Sequence, residues 1–86
     1  MKYRLYIKPS ALKELKNLPR KEQTKADKRI MALAENPRPA TATRLKGHPL
    51  MRIRIGDYRI VYEINDAVKS IQVVTVGHRS NIYRKI

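Results

Sequence analysis

Residues 52–64 read RIRIGDYRIVYEI, and their alternation decides the fold. Apolar and polar side chains alternate on both sides of Gly56-Asp57, a dipeptide suited to a two-residue type II′ turn. A hairpin folded about that turn sets Ile55 against Tyr58, Arg54 against Arg59, Ile53 against Ile60 and Arg52 against Val61. Side chains two apart share a face of a strand, so Arg52, Arg54 and Arg59 point the same way. Like charges directly opposite one another destabilise a strand pair. An anion held between Arg54 and Arg59 converts that repulsion into charge-assisted hydrogen bonds, and the planar guanidinium fork matches phosphate.

Outward from the hairpin, three strands are predicted at about 50–55, 58–64 and 69–76, with Asn65-Asp66 as the second turn. Upstream, residues 2–8 alternate, with Tyr3, Leu5 and Ile7 on one face of a half-buried strand. Pro9-Ser10 opens a short helix carrying Leu12, Leu15 and Leu18 at helical spacing. Pro19 ends it, and a second helix covers roughly 20–35 with Ala26, Ile30, Leu33 and Ala34 as its buried stripe. Asn36-Pro37-Arg38-Pro39 stops that helix, and a loop through Thr41, Thr43 and Lys46-Gly47 returns to the sheet. The order β-α-α-β-β-β predicts an α+β fold: an antiparallel-rich, four-stranded sheet with a two-helix hairpin packed on one face. Met51, Ile53, Ile55, Tyr58, Ile60, Tyr62 and Ile64 then face the helices, and the arginine face is the open one. No repeat or composition shift divides the chain, so residues 1–86 read as a single domain.

Charge narrows the partners. Twenty Lys+Arg against seven Asp+Glu leave a formal net charge of +13, which favours polyanions. Cysteine is absent, so disulfides and thiolate metal sites are excluded and a reducing compartment is compatible. The opening MKYRLYIKPS has no signal-peptide core. No apolar run approaches the ~20 residues of a membrane span. The expectation is a soluble, cytoplasmic, basic protein without membrane partners.

Most catalytic chemistries find no foothold. Four of the seven acids (Glu14, Glu22, Asp27 and Glu35) fall on the helices, and Asp57 and Asp66 in turns, so no oxygen-rich metal site forms. His48 and His78 lack an HxxxH or HExxH companion, and Ser10, Ser70 and Ser80 lack an elbow motif. With three glycines, no Gly-rich phosphate loop is present. Neither a metal nor a cofactor is expected. What remains is basic: Arg52, Arg54 and Arg59 on the hairpin, then His78, Arg79 and Tyr83 beyond the last strand, with Lys46 as a further phosphate contact. Lys21, Lys25 and Lys28 form a stripe on the second helix, the ordinary appearance of a solvated face.

RLKGHP, followed by LMRIRIGDYRIVYEI and VVTVGHRSNIY, resembles the RelE branch of the RelE/ParE toxin superfamily over nearly the whole chain. The resemblance implies the toxin of a type II toxin-antitoxin system: an mRNA interferase that enters the ribosomal A site and cuts the message. Partners implied with it are mRNA, the ribosome and an antitoxin protein. It carries the family's functional basic positions onto Arg52, Arg54, Arg59 and Arg79, and its C-terminal tyrosine onto Tyr83. Some members have lysines where this chain has Arg52 and Arg54. ParE-like relatives share the fold and poison DNA gyrase, so a protein-binding gyrase inhibitor is the alternative, and a non-catalytic RNA-binding protein the third reading.

The implied chemistry is self-consistent without metal. The ribose 2′-OH attacks the adjacent phosphate, giving a 2′,3′-cyclic phosphate and a 5′-OH. The reaction needs a base, charge stabilisation of the phosphorane and help for the leaving oxygen. Arg59 with Arg52 suits the phosphorane, Arg79 the leaving group, and Tyr83 a stacked base or the 2′-OH. Arginine stays protonated, so Arg54 is a poor general base where a lysine with a depressed pKa serves. His78, with an ordinary pKa near neutrality, is the secondary candidate for proton transfer.

Overall fold

The computed structural model describes residues 2–82. The elements follow in the order β1 (Arg4–Ile7), α1 (Pro9–Lys16), α2 (Arg20–Leu33), β2 (Thr43–Arg44), β3 (Met51–Ile55), β4 (Tyr58–Asn65) and β5 (Ser70–His78). The hairpin register is the one its alternation predicts: Ile55 pairs with Tyr58, Arg54 with Arg59, Ile53 with Ile60 and Arg52 with Val61. Gly56 takes φ +57° while Asp57 does not enter the positive region, the signature of a type II′ turn. Ile53, Ile55, Ile60 and Tyr62 are buried against Ala26, Ile30 and Leu33 of α2, with Met51, Tyr58 and Ile64 half-buried at the margin.

The class is α+β, as expected, with two differences in the sheet. It has five strands rather than four, in the order β1-β5-β4-β3-β2. The added strand, β2, is two residues long and antiparallel to β3; a segment that short carries no readable alternation. The sheet is also mixed, because β1 runs parallel to β5 with Leu5 opposite Ile71. Alternation tells which face of a strand is buried but not which neighbour it takes. Here β1 covers what is otherwise the exposed edge of β5.

Helix α1 also turns differently from its leucine spacing. Ala11 and Leu15 are buried along with Leu18 just beyond the helix, while Leu12 is 39% exposed. The i, i+4, i+7 stripe therefore runs through alanine, whose small side chain lets the helix approach β5 closely. Ala34, expected in the stripe of α2, is half-buried just past its end.

A further correction concerns the face expected to be open. Leu45, Leu50 and Ile82 pack over Val61 on that face, with Val74 beside them. Val74 is the extra residue of a bulge: Val61 pairs with Thr75 but Tyr62 pairs with Val73. The bulge is held from the helical side by Glu14, whose Oε1 accepts hydrogen bonds from Thr75 Oγ1 at 3.0 Å and from the Val76 amide at 3.1 Å. The sheet thus carries a main core under the helices and a small second one beneath the 45–50 loop.

Two polar contacts pin the long connection after α2. Tyr62 Oη donates to the Pro37 carbonyl at 2.7 Å, and burial pushes its phenol up to about 12. On the surface, Arg38 Nη2 lies 2.8 Å from Asp66 Oδ2, and Tyr3 Oη donates to Asp66 Oδ1 at 2.7 Å. Hydrogen bonding first from Arg38 and then from Tyr3 holds the Asp66 carboxyl down at about 2. Because this pKa is depressed on folding, its stabilisation is complete above the unfolded carboxyl's value near ~4 and is lost as pH falls toward 2. Asp66→Asn therefore lowers the melting temperature at neutral pH, and the gap to the wild type closes in acid. A gap unchanged from pH 7 to pH 2 contradicts this assignment. The group is exposed, so added salt also narrows the gap.

Candidate phosphate-binding face

The arginines of the hairpin meet as the register requires. Arg54 and Arg59 are paired across β3 and β4, and Arg52 lies two residues from Arg54 on the same face. Arg54 is exposed, Arg52 half-buried and Arg59 only 8% exposed. Arg59 Nη1 donates to the carbonyls of Gly56 at 3.2 Å and Tyr58 at 3.1 Å. Its Nε and Nη2 hydrogen-bond to none of the described residues, so one nitrogen anchors the group and two remain for a ligand. Burial lowers the Arg59 pKa from its ordinary value, and the nearby charges of Arg54, Arg52 and Arg79 lower it further. Four guanidinium groups therefore act on one place, which is the electrostatic requirement for holding a phosphate.

Arg79 reaches that place by a backbone route. Its amide donates to the Asp57 carbonyl at 2.8 Å, tying the end of β5 to the hairpin turn. Its exposed side chain has Nε 3.8 Å from Asp57 Oδ1. Asp57 thus holds Arg79 beside the turn by main chain and side chain together. Lys46 is exposed in the loop between Leu45 and Leu50, which pack over Val61. Tyr83 lies outside the described residues.

His78 goes elsewhere. It pairs with Tyr58, not with Arg59, whose partner on β5 is Gly77. The alternation that gathers the arginines puts His78 on the opposite face, where its ring meets Tyr58 edge-on at 5.6 Å between centroids. Its Nδ1 accepts the Ser80 amide at 3.2 Å and lies 2.8 Å from Ser80 Oγ, which places the ring proton on Nε2 by the hydrogen-bond network. If the chain has the RNA-cleaving activity that the resemblance implies, we expect His78→Ala to keep it within about five-fold of wild type, against the ~10²-fold loss due to a proton-transfer residue. A loss of that larger size, with a flattened pH profile near neutrality, overturns this.

Comparison with known proteins agrees with the sheet. A family model described as the ParE toxin of the type II toxin-antitoxin system parDE matches residues 5–83. The mRNA interferase toxin RelE of Escherichia coli K12 is 32% identical over 88 aligned positions, spanning 96% of this chain and 92% of the relative. The chain belongs to the RelE/ParE toxin family. Its fold matches RelE in the archaeal RelE–RelB complex of Pyrococcus horikoshii with a TM-score of 0.81 at 29% identity, over 92% of this chain and 97% of that one. The isolated E. coli RelE toxin superposes with a TM-score of 0.79 at 30% identity, over 96% and 93%.

Within this RelE/ParE fold, one basic group escapes a reading by strand alternation. Lys25, Lys28 and Arg29 of α2 line a groove together with Arg54, Ile55 and Gly56 of the hairpin. The i, i+3, i+4 spacing of the three helical cations is legible in the chain. That they share a groove with Arg54 depends on how α2 lies across the sheet.

Proposed function

We propose that this protein is a single-domain toxin of a type II toxin-antitoxin system, a ribosome-dependent endoribonuclease that cleaves mRNA in the A site and so stops translation. The observation that carries the reading is the convergence of Arg52, Arg54, Arg59 and Arg79 on one side of the β3–β4 hairpin. It joins the likeness to E. coli RelE, whose name states mRNA interferase activity. Clustering of this kind destabilises the free protein and is relieved by a bound phosphate. The antitoxin is a protein that covers this basic surface; relatives of this fold have been solved as RelE–RelB complexes from Pyrococcus horikoshii and E. coli.

In the proposed reaction the ribose 2′-oxygen attacks phosphorus as its proton passes to water, the bond to the 5′-oxygen breaks, and that oxygen takes up a proton from water to become the 5′-OH. The Arg59 fork, fixed through Nη1 and open at Nε and Nη2, meets the phosphorane oxygens together with Arg52. Arg54 holds the scissile phosphate from the opposing strand, and Lys46 supports the backbone beyond it. Arg79 stabilises the departing 5′-oxygen, and Tyr83 stacks on or orients the nucleotide. Orientation and electrostatic stabilisation account for the larger part of the rate, with the ribosome fixing the message for in-line attack. No step calls for a metal ion.

Message bound to programmed ribosomes tests the reading through its ends. Cleaved RNA carrying a 2′,3′-cyclic or 3′-phosphate and a 5′-OH supports it; 3′-OH and 5′-phosphate ends contradict it. The gyrase-directed alternative is separated in cells, where induction arrests translation with cut mRNA under our reading and provokes DNA damage under the other.

A further inference from the structure

The groove between α2 and the hairpin turn is lined by four cations and two floor residues: Lys25, Lys28, Arg29 and Arg54, with Ile55 and Gly56. At about 350 Å³ it lies within the usual size of ligand sites, about 300–1,000 Å³. On a helix of about 100° per residue, positions 25, 28 and 29 fall in one sector roughly 100° wide, so three cations overhang the same floor. Arg54 belongs to both places, lining this groove and pairing across the sheet with Arg59. One acid sits close by. Glu22 Oε2 is buried with no hydrogen-bond partner among the described residues, 3.2 Å from where a side chain on Gly56 would begin. The groove therefore has a cationic rim and the Glu22 carboxylate beside its floor.

We propose that this groove is a second phosphate subsite, which holds the RNA backbone on one side of the nucleotide being cut and leads it round the hairpin turn to the arginine face. The proposal rests on the RNA-cleaving reading above and extends the bound strand beyond the scissile phosphate. Three helical cations facing one floor repel one another as Arg54 and Arg59 do, and a phosphodiester passing between them relieves both clusters at once. Lysine suits such a role: its compact charge contacts a backbone phosphate without demanding the bidentate geometry needed at the reacting phosphorus. Glu22 opposes the RNA, so its removal acts in the reverse direction from removal of the lysines.

The test compares Lys25→Gln/Lys28→Gln and Glu22→Gln with wild type. The first readout is the affinity for a single-stranded 2′-O-methyl RNA oligonucleotide, which cannot be cut, measured across a salt series. Removing one lysine–phosphate interaction reduces the slope of log K against log salt by about 0.7, so the double variant's slope should fall by about 1.4. Glu22→Gln should tighten binding at low salt. The second readout is cleavage on programmed ribosomes: the double variant should need about ten-fold more protein for half-maximal rate and keep its saturating rate within a few-fold. An unchanged salt slope in the double variant overturns the subsite, as does Glu22→Gln weakening binding alongside it. Unaltered RNA binding with weakened affinity for an acidic antitoxin peptide assigns the groove to protein and equally overturns it. If wild type itself neither binds the oligonucleotide nor cuts message, the RNA-cleaving reading fails, a result distinct from failure of the subsite alone.

Discussion

Arg59→Gln is expected to lower single-turnover cleavage of ribosome-bound message by about 10²–10³-fold, the usual effect of losing one preorganised transition-state donor. The same change should leave stability within about 1 kcal/mol of wild type, for two opposing reasons. Arg59 Nη1 supplies hydrogen bonds to the Gly56 and Tyr58 carbonyls, each worth about 0.5–1.5 kcal/mol net. Against that, burial and the charges of Arg54, Arg52 and Arg79 disfavour its cationic form. A base whose pKa falls on folding weakens the fold while it stays charged, and arginine stays charged throughout the working range. Its charge is thus a constant cost at neutral pH and not a pH-dependent one. Glutamine removes that cost and retains an amide donor for the carbonyls. Thermal denaturation and cleavage of the purified variant decide the matter together. A variant that melts several degrees lower yet cuts normally would show that Arg59 serves the hairpin and not the phosphate.

Arg79→Ala carries the second large effect, a fall of about 10²-fold in cleavage with a fold that melts normally. The side chain is 64% exposed and its contact with Asp57 is a loose 3.8 Å, so an isolated surface pair of this kind adds little stability. The backbone bond from the Arg79 amide to the Asp57 carbonyl survives the substitution and keeps the chain beside the turn. If Arg79 stabilises the departing 5′-oxygen, its absence matters only when that oxygen leaves as a poor leaving group. A message with sulfur in place of the bridging 5′-oxygen leaves readily as a thiolate and should restore most of the rate to the variant. An equal deficit on oxygen and sulfur substrates removes Arg79 from the leaving-group step.

The two halves of the site were unequally legible. Arg52, Arg54 and Arg59 could be read because a two-residue turn leaves one register, and that register sets two arginines face to face. A charge opposition with no partner in sequence is itself a signal, since folding alone gives no reason for it. His78 was readable only as a secondary candidate, adjoining Arg79 in the chain, and pairing with Tyr58 turns it to the opposite face. Its placement hangs on the bulge at Val74, which shifts the side-chain phase along β5 relative to β4. Nothing in the run VVTVGH announces an extra residue; the bulge depends on Glu14, some sixty positions earlier, accepting hydrogen bonds from Thr75 and Val76.

The sequence by itself determined what short-range geometry controls: the β3–β4 hairpin, the face on which its arginines lie, the helical content of 9–33 and the α+β class. These follow from periods of two and 3.6 and from the steric demands of Gly56, all of which act within a few residues. Only the tertiary structure decided the parallel seat of β1 beside β5, the burial of Ala11 in place of Leu12, the second core of Leu45, Leu50, Val61 and Ile82, and the meeting of Arg54 with Lys25, Lys28 and Arg29. Each of these joins segments far apart in the chain, where several pairings satisfy the same local pattern. The choice among them comes from the apolar area and backbone hydrogen bonds that a particular packing buries, which no local period encodes.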